Sequence, residues 1–190
     1  MKNNLPRFNV IIAVDSNGGF SYNNKLPWKF IKDSNFYNTI TSSNANYSSN
    51  ILIMGRKTWE SLNCIVPKNR ISFVISNDYK KYNKTNESRE KKNLFFFPSF
   101  SDALSHTLNF KGSIVWAIGG YQIYDEALNH ENCGSIYCTS IVGSFETDKK
   151  IDLKSYNINW VNMHQESDTN LNDNSNYVLQ FKRGFLNKHL

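Results

Sequence analysis

Cysteines, long apolar runs and metal-ligand spacings are scarce in this 190-residue chain, and each shortage closes off a class of protein. The three cysteines, Cys64, Cys133 and Cys138, are unclustered. With no CxxC pair and no histidines at zinc-ligand spacing, they support neither a disulfide framework nor a metal centre. No stretch reaches the ~18 apolar residues of a membrane-spanning helix. The opening residues, Met1 to Arg7, lack the apolar core of a secretory signal and lead into a short strand-like run. A reducing, cytoplasmic setting is therefore expected, in which the sequons at Asn46, Asn83 and Asn86 meet no glycosylation machinery.

What is present is enough for one core. Hydrophobic residues make up 39% and aromatics 14%, more than a disordered chain carries, while the many Asn and Ser residues point to long polar loops. At this length a single domain buries about 70% of the surface its unfolded chain exposes, so one domain over residues 8–183 is expected. The net charge of +6 fits nucleic acid, an anionic membrane surface or a polyanionic small molecule equally well. Much of the excess lies between Lys80 and Lys92, where Glu87 and Glu90 are interspersed; this reads as a solvated loop ahead of a nucleic-acid contact.

Phe8 to Val14 is short, β-branched and nearly all apolar, the pattern of a strand buried on both faces. Ile51–Met54, Ile71–Ile75, Leu94–Phe97, Ile114–Ile118 and Ser135–Ile141 read alike. Segments with helical spacing lie between them: Asp33–Ile40, Lys57–Leu62, Ser101–Leu108, with Ser99 or Ser101 as its cap, and Gln122–Leu128. Alternation of strands and short helices predicts a largely parallel α/β sheet. Trp160–His164 and Tyr177–Phe181, separated by the polar stretch Gln165–Asn176, predict an antiparallel hairpin with a long loop at the C-terminal end.

Two strand-to-helix junctions attract anion chemistry. In Ile118-Gly119-Gly120-Tyr121 a buried strand gives way to two glycines and a helix start, which leaves backbone N–H groups open to phosphate, although a tight turn has the same look and GxGxxG is absent. In Met54-Gly55-Arg56-Lys57-Thr58 a glycine is followed by two cations and a hydroxyl at a helix start, the groups that neutralise and hydrogen-bond phosphate, or simply an exposed basic turn. Together they suggest an extended polyphosphate ligand such as a dinucleotide. Asp33 and Tyr37 are four residues apart and share a helical face. A carboxylate against an aromatic wall has a raised pKa suited to proton work, while an Asp near a helix start is also the ordinary N-cap.

Leu26-Pro27-Trp28 with Asp33 five residues on, Met54 to Ser61, Arg70 with Ile71 to Ser76, and Ile118-Gly119-Gly120 with Tyr124, taken in this order, resemble the dihydrofolate reductases, over about Phe8 to Phe181. The resemblance implies a mixed, mainly parallel eight-stranded sheet with an antiparallel C-terminal hairpin and about four flanking helices. It implies NADPH as cofactor, dihydrofolate as substrate, antifolates as inhibitors, and a monomer that needs neither membrane, metal nor nucleic acid. Asp33 would hold the 2-amino group and N3 of the pterin and assist protonation at N5, with hydride passing from nicotinamide C4 to pterin C6. Thr139 would support that carboxylate and Trp28 an adjoining water. Substrate would lie among Ile11, Ile12, Leu26, Ser34, Phe36, Tyr37, Leu62, Ile118 and Tyr124, with the Ile11 and Ile118 carbonyls at the pterin edge and Arg70 on the α-carboxylate of the glutamate. Cofactor would meet Ala13, Gly19, Phe20, Ser21, Gly55, Arg56, Lys57, Thr58, Ser76, Asn77, Gly119, Gly120, Tyr121, Gln122 and Ile123, with Arg56 on the extra phosphate of NADPH.

Several positions depart from the family pattern: Phe20-Ser21 replaces Ile-Gly in the loop over the nicotinamide, and Ser34 and Tyr37 make the pterin pocket more polar. Asn63 to Asn69 departs from the usual run before Arg70, and Asn77 stands where an arginine often helps with the 2′-phosphate. Two rivals follow, a same-fold pyrimidine reductase of riboflavin synthesis and a catalytically weakened homologue that binds folate, nucleotide or RNA. Asp33 after Pro27-Trp28, together with Arg70, argues against the first.

Overall fold

The computed structural model describes residues 5–42, 49–84 and 92–187. The sequons at Asn46 and Asn86, and residues 85–91 of the basic run, lie outside them. In chain order the elements are β1 (Phe8–Val14), β2 (Gly19–Ser21), α1 (Ile31–Thr41), β3 (Asn50–Gly55), α2 (Arg56–Ser61), β4 (Arg70–Ile75), α3 (Tyr79–Lys84) and β5 (Leu94–Phe97). They continue with α4 (Phe100–His106), β6 (Val115–Ala117), α5 (Tyr121–Asn129), β7 (Cys133–Val142), β8 (Lys149–Lys150), β9 (Ile158–Thr169) and β10 (Asn176–Leu186).

Eight strands form one sheet in the order β5-β4-β3-β6-β1-β7-β10-β9, and β2 pairs with β8 in a small separate sheet. From β5 through β7 every pairing is parallel, and β10 then runs antiparallel to both β7 and β9. The mainly parallel sheet with its antiparallel C-terminal hairpin is as the sequence predicts.

The near-continuous apolar runs have a simple cause: both faces of the central strands are covered. Val10, Ile12, Ile51, Ile53, Phe73 and Ala117 point into one core cluster. Their alternates Ile11, Leu52, Met54, Val74 and Trp116 point into the other. Successive side chains face opposite sides of a strand, so a strand covered twice must be apolar at every position. Truncating Phe73, which is fully buried, to alanine costs about 3–5 kcal/mol.

Two expectations change. The charge run that reads as a solvated loop begins in a helix, Tyr79–Lys84, which brings the α-helices among the described residues to five, in keeping with the four or so expected. Its Tyr82 stacks on Phe96 at 4.5 Å and meets the edge of Trp59, so aromatic packing orders the beginning of what reads as a solvated charge run. The C-terminal strands are also longer, β9 reaching Thr169 and leaving only residues 170–175 between them. The polar residues Gln165 to Asp168 belong to an edge strand and still pair with β10, for example Glu166 with Leu179. Pairing of backbone groups extended these strands where side-chain patterning gave no signal.

Candidate functional site

A cleft of about 780 Å³ opens at the carboxyl ends of the parallel strands, where open α/β sheets bind ligands. Ile11, Ile12 and Ala13 of β1, Thr139 of β7 and the Ile118 to Tyr124 junction form its floor. One wall is the face of α1 that carries Asp33, Ser34 and Tyr37, together with Leu62. The other combines Gly55 to Thr58 with Ile75, Ser76 and Asn77, and Phe20, Ser21 and Leu26 complete the lining.

Asp33 sits on the first turn of α1 without capping it, since the cap position is Phe30 and no side chain closes the turn from there. Burial pushes its pKa above the ordinary carboxylate range; Thr139 and Trp28, which favour the anion, and the repelling charge of Asp168 are lesser influences. Trp28 lies just behind the wall, almost fully buried against Phe145.

Three buried polar atoms around α1 lack a hydrogen bond of good geometry: Trp28 Nε1, which faces Asp33, and Tyr37 Oη and Arg70 Nε, which face each other. Such groups are uncommon in folded proteins and call for a ligand or water to complete them. Arg70 is nearly buried, with one terminal nitrogen donating to Asn38 Oδ1 (3.1 Å) and Ser42 Oγ (2.7 Å) and its guanidinium 5.4 Å from the Tyr37 ring centre. It stands behind the cleft lining at the Tyr37 end, tied to α1. Burial likewise raises the Tyr37 hydroxyl, opposed by the Arg70 charge.

The two glycine junctions meet. Gly55 N–H donates to the Gly119 carbonyl at 2.7 Å, and the first residues of α2 and α5 both face the cleft. Neither helix start is closed by a side chain, because Gly55 and Gly120 occupy the cap positions. Their N–H groups are therefore open to an anion, with Thr58, Lys57 and Arg56 beside them. Gly119 has φ +113, and a Cβ there would lie 3.0 Å from the Tyr124 ring, so only glycine fits this approach. The donor set suits a dinucleotide. Arg56 is paired with Glu60 one turn along α2.

The loop after β1 is pinned by Asp15, whose Oδ1 accepts from the N–H groups of Asn17 (2.9 Å) and Gly19 (2.7 Å) and whose Oδ2 accepts from Phe145 N–H (3.0 Å). Phe20 is buried and meets the Tyr124 ring edge-on at 5.7 Å. Ser21 pairs with Lys149 in the small sheet. Phe20-Ser21 thus belongs to an ordered strand whose aromatic ring packs on the cleft floor.

Most of the expected site residues line this single cleft. Four stand behind it: Trp28, Phe36, which packs on Phe181 at 4.7 Å, Arg70, and Gly19, where a Cβ would sit 2.5 Å from Thr147 Oγ1. Asn24, Lys25, Asn38, Ser61, Ile75 and Lys149 also line the cleft and escape the sequence reading. Asn38 follows Ser34 at helical spacing, so its face was legible; Lys149 arrives only through the β2–β8 pairing. Among the described residues no three His, Cys, Asp or Glu side chains converge to hold a metal.

Comparison with known proteins matches residues 7–183 to the family model described as dihydrofolate reductase. The chain is 33% identical to the dihydrofolate reductase of Rattus norvegicus over 165 residues, covering 79% of this chain and 82% of that protein. It is 31% identical to the bifunctional dihydrofolate reductase-thymidylate synthase of Paramecium tetraurelia over 173 residues, 91% of this chain but only 34% of that longer protein. Among solved structures, it matches a dihydrofolate reductase from Enterococcus faecalis, complexed with NADP(H) and RAB-propyl, with a TM-score of 0.69 and 22% identity over 96% of this chain and 97% of that one.

Proposed function

The chain belongs to the dihydrofolate reductase family, and from that we propose that it reduces 7,8-dihydrofolate to 5,6,7,8-tetrahydrofolate with NADPH, supplying one-carbon metabolism. The observation that carries the reading is Asp33, a carboxylate held above its ordinary pKa by burial in a cleft whose far wall presents two open helix starts.

NADPH, when bound, supplies the hydride that reduces the pterin at C6. The residues of the chain do the rest. Gly55 to Thr58 and Gly119 to Ile123 offer backbone and hydroxyl donors to the pyrophosphate, and Arg56 exchanges Glu60 for the extra phosphate. Exposed pairs of this kind are worth only about 0.3–0.5 kcal/mol, so the exchange costs little. Asp33 accepts the amino and N3 donors of the pterin and, with a raised pKa, shares the proton that must reach N5. Thr139 holds the carboxylate on one side, and on the other the Trp28 N–H faces it and offers a donor to an adjoining water. Arg70 braces Tyr37 and, on this reading, turns its free Nε toward the glutamate carboxylate.

As part of the same proposal the enzyme works as a cytoplasmic monomer, folded as one domain over residues 8–183, and is open to antifolates in the same cleft. NADPH oxidation measured with and without dihydrofolate tests the reading. Oxidation that depends on dihydrofolate is expected; its absence would overturn the proposal, and reduction of a riboflavin-pathway pyrimidine instead would select the rival reductase.

A further inference from the structure

The helix that carries Asp33 is capped from elsewhere in the chain. Phe30 contributes no side-chain hydrogen bond to the first turn of α1. The Lys32 N–H donates instead to Asp168 Oδ2 at 2.8 Å, a carboxylate on β9, 136 residues further along the chain. The other oxygen of Asp168 accepts from Thr169 N–H at 2.9 Å, which fixes its orientation. The same hairpin grips the approach to α1: Lys29 N–H donates to Asn170 Oδ1 (2.9 Å), Leu171 N–H donates to the Lys29 carbonyl (3.0 Å), and Lys32 Nζ pairs with Glu166 (2.6 Å). Asp33 is the residue immediately after Lys32, so the end of β9 and the base of the catalytic helix form one hydrogen-bonded unit.

We propose that Asp168 is a positioning residue for Asp33: it holds the first turn of α1 through the Lys32 N–H and sets a second negative charge at the helix start beside Asp33. The inference rests on the reading of Asp33 as the proton carrier of a reductase.

The surroundings of Asp33 leave Asp168 as the charge that acts on it. Thr139 from β7 and Trp28 from the turn before α1 are neutral and favour the carboxylate anion. Burial pushes the Cys138 thiol up to about 12 and the Tyr124 hydroxyl higher still, so both stay neutral through the working range. Lys182 faces Cys138 and Arg70 faces Tyr37. At the hairpin, Lys32 and Glu166 offset each other, with His164 3.6 Å from Glu166. A second anion at the same helix start competes with Asp33 for the positive end of the helix and makes its ionisation harder.

Asp168→Asn retains an acceptor for the Lys32 N–H and removes only the charge, whereas Asp168→Ala removes both. Asp33 is followed by carboxyl 13C NMR in the ligand-free protein. In Asp168→Asn its midpoint is expected to fall by roughly half a pH unit with little change in Tm. The alkaline limb of kcat for dihydrofolate-dependent NADPH oxidation should move down with it, about threefold slower above the midpoint. Asp168→Ala should add a loss of Tm. The double variant Lys32→Gln/Glu166→Gln, which removes both members of the offsetting pair and keeps the Lys32 backbone N–H, should leave the midpoint in place. An unmoved Asp33 midpoint in Asp168→Asn, an equal shift in Lys32→Gln/Glu166→Gln, or a pH–rate profile that stays put while Asp33 moves would each overturn the proposal. The titration needs no turnover, so it decides the inference even where the unmodified chain fails to oxidise NADPH with dihydrofolate, an outcome that removes the proposed function instead.

Discussion

The Tyr124 hydroxyl lies 2.9 Å from the Ile118 carbonyl and donates to it, and the same oxygen reaches the Ile11 carbonyl at 3.1 Å. A side chain from α5 thereby ties the middle of β1 to the residue that follows β6, both on the cleft floor. Burial keeps this hydroxyl protonated well beyond the ordinary tyrosine range, so the donor persists at every working pH.

Tyr124→Phe removes the shared donor and leaves two buried carbonyls short of it. The expected cost is about 1–3 kcal/mol, a fall in Tm of roughly 2–10 °C for a chain of this size. Thermal denaturation of the ligand-free protein measures it. An unchanged Tm would mean that water replaces the hydroxyl without loss.

Asp33→Asn is expected to slow dihydrofolate reduction at neutral pH by about 10²–10⁴-fold, with partial recovery in acid, where the substrate acquires its proton from solvent. The same substitution should stabilise the fold. Because the folded pKa of Asp33 is raised, the native state holds a proton that the unfolded chain has already lost, and stability falls as pH rises from the ordinary carboxylate pKa through the raised one. The Tm of the variant should therefore exceed that of the unmodified protein above this window and converge with it in acid.

Arg56 and Glu60 make opposite predictions. Arg56→Ala should weaken NADPH by about 10–100-fold while leaving NADH nearly unchanged. Glu60→Gln releases Arg56 from its i,i+4 partner and should tighten NADPH slightly, about twofold. Paired titrations with the two nucleotides separate these outcomes, and equal effects on both would remove Arg56 from the phosphate site.

Arg70→Ala breaks the bonds to Asn38 and Ser42 and leaves the Tyr37 ring without its cation. A stability loss of about 1–3 kcal/mol is expected. Binding of dihydrofolate should weaken by about tenfold or more, while binding of pterins that lack the glutamate changes only as far as Tyr37 shifts. Equal weakening of both ligand types would assign Arg70 a purely structural role.

What the sequence determined was the part written in local physics. Strands covered on both faces must be apolar throughout, so β1, β3, β4 and β5 were legible almost to the residue. The glycines at 55, 119 and 120 announced the two strand-to-helix junctions with N–H groups open to an anion, and the motif order announced the family. Edge pairing carries no such signature: the outer part of β9, the short β2–β8 sheet and the helix Tyr79–Lys84 are held by backbone partners and ring contacts from distant residues.

Asp33 shows the division most sharply. By spacing alone it reads as a helix cap before it reads as a proton carrier, since a carboxylate near a helix start is the ordinary cap. Only the tertiary structure brings Asp168 across from the hairpin to take the capping hydrogen bond and wraps Asp33 in Thr139, Trp28 and the cleft wall. Capping is a local hydrogen bond that a neighbour in space can supply, whereas desolvation depends on everything that surrounds the group and is set only when the chain has folded.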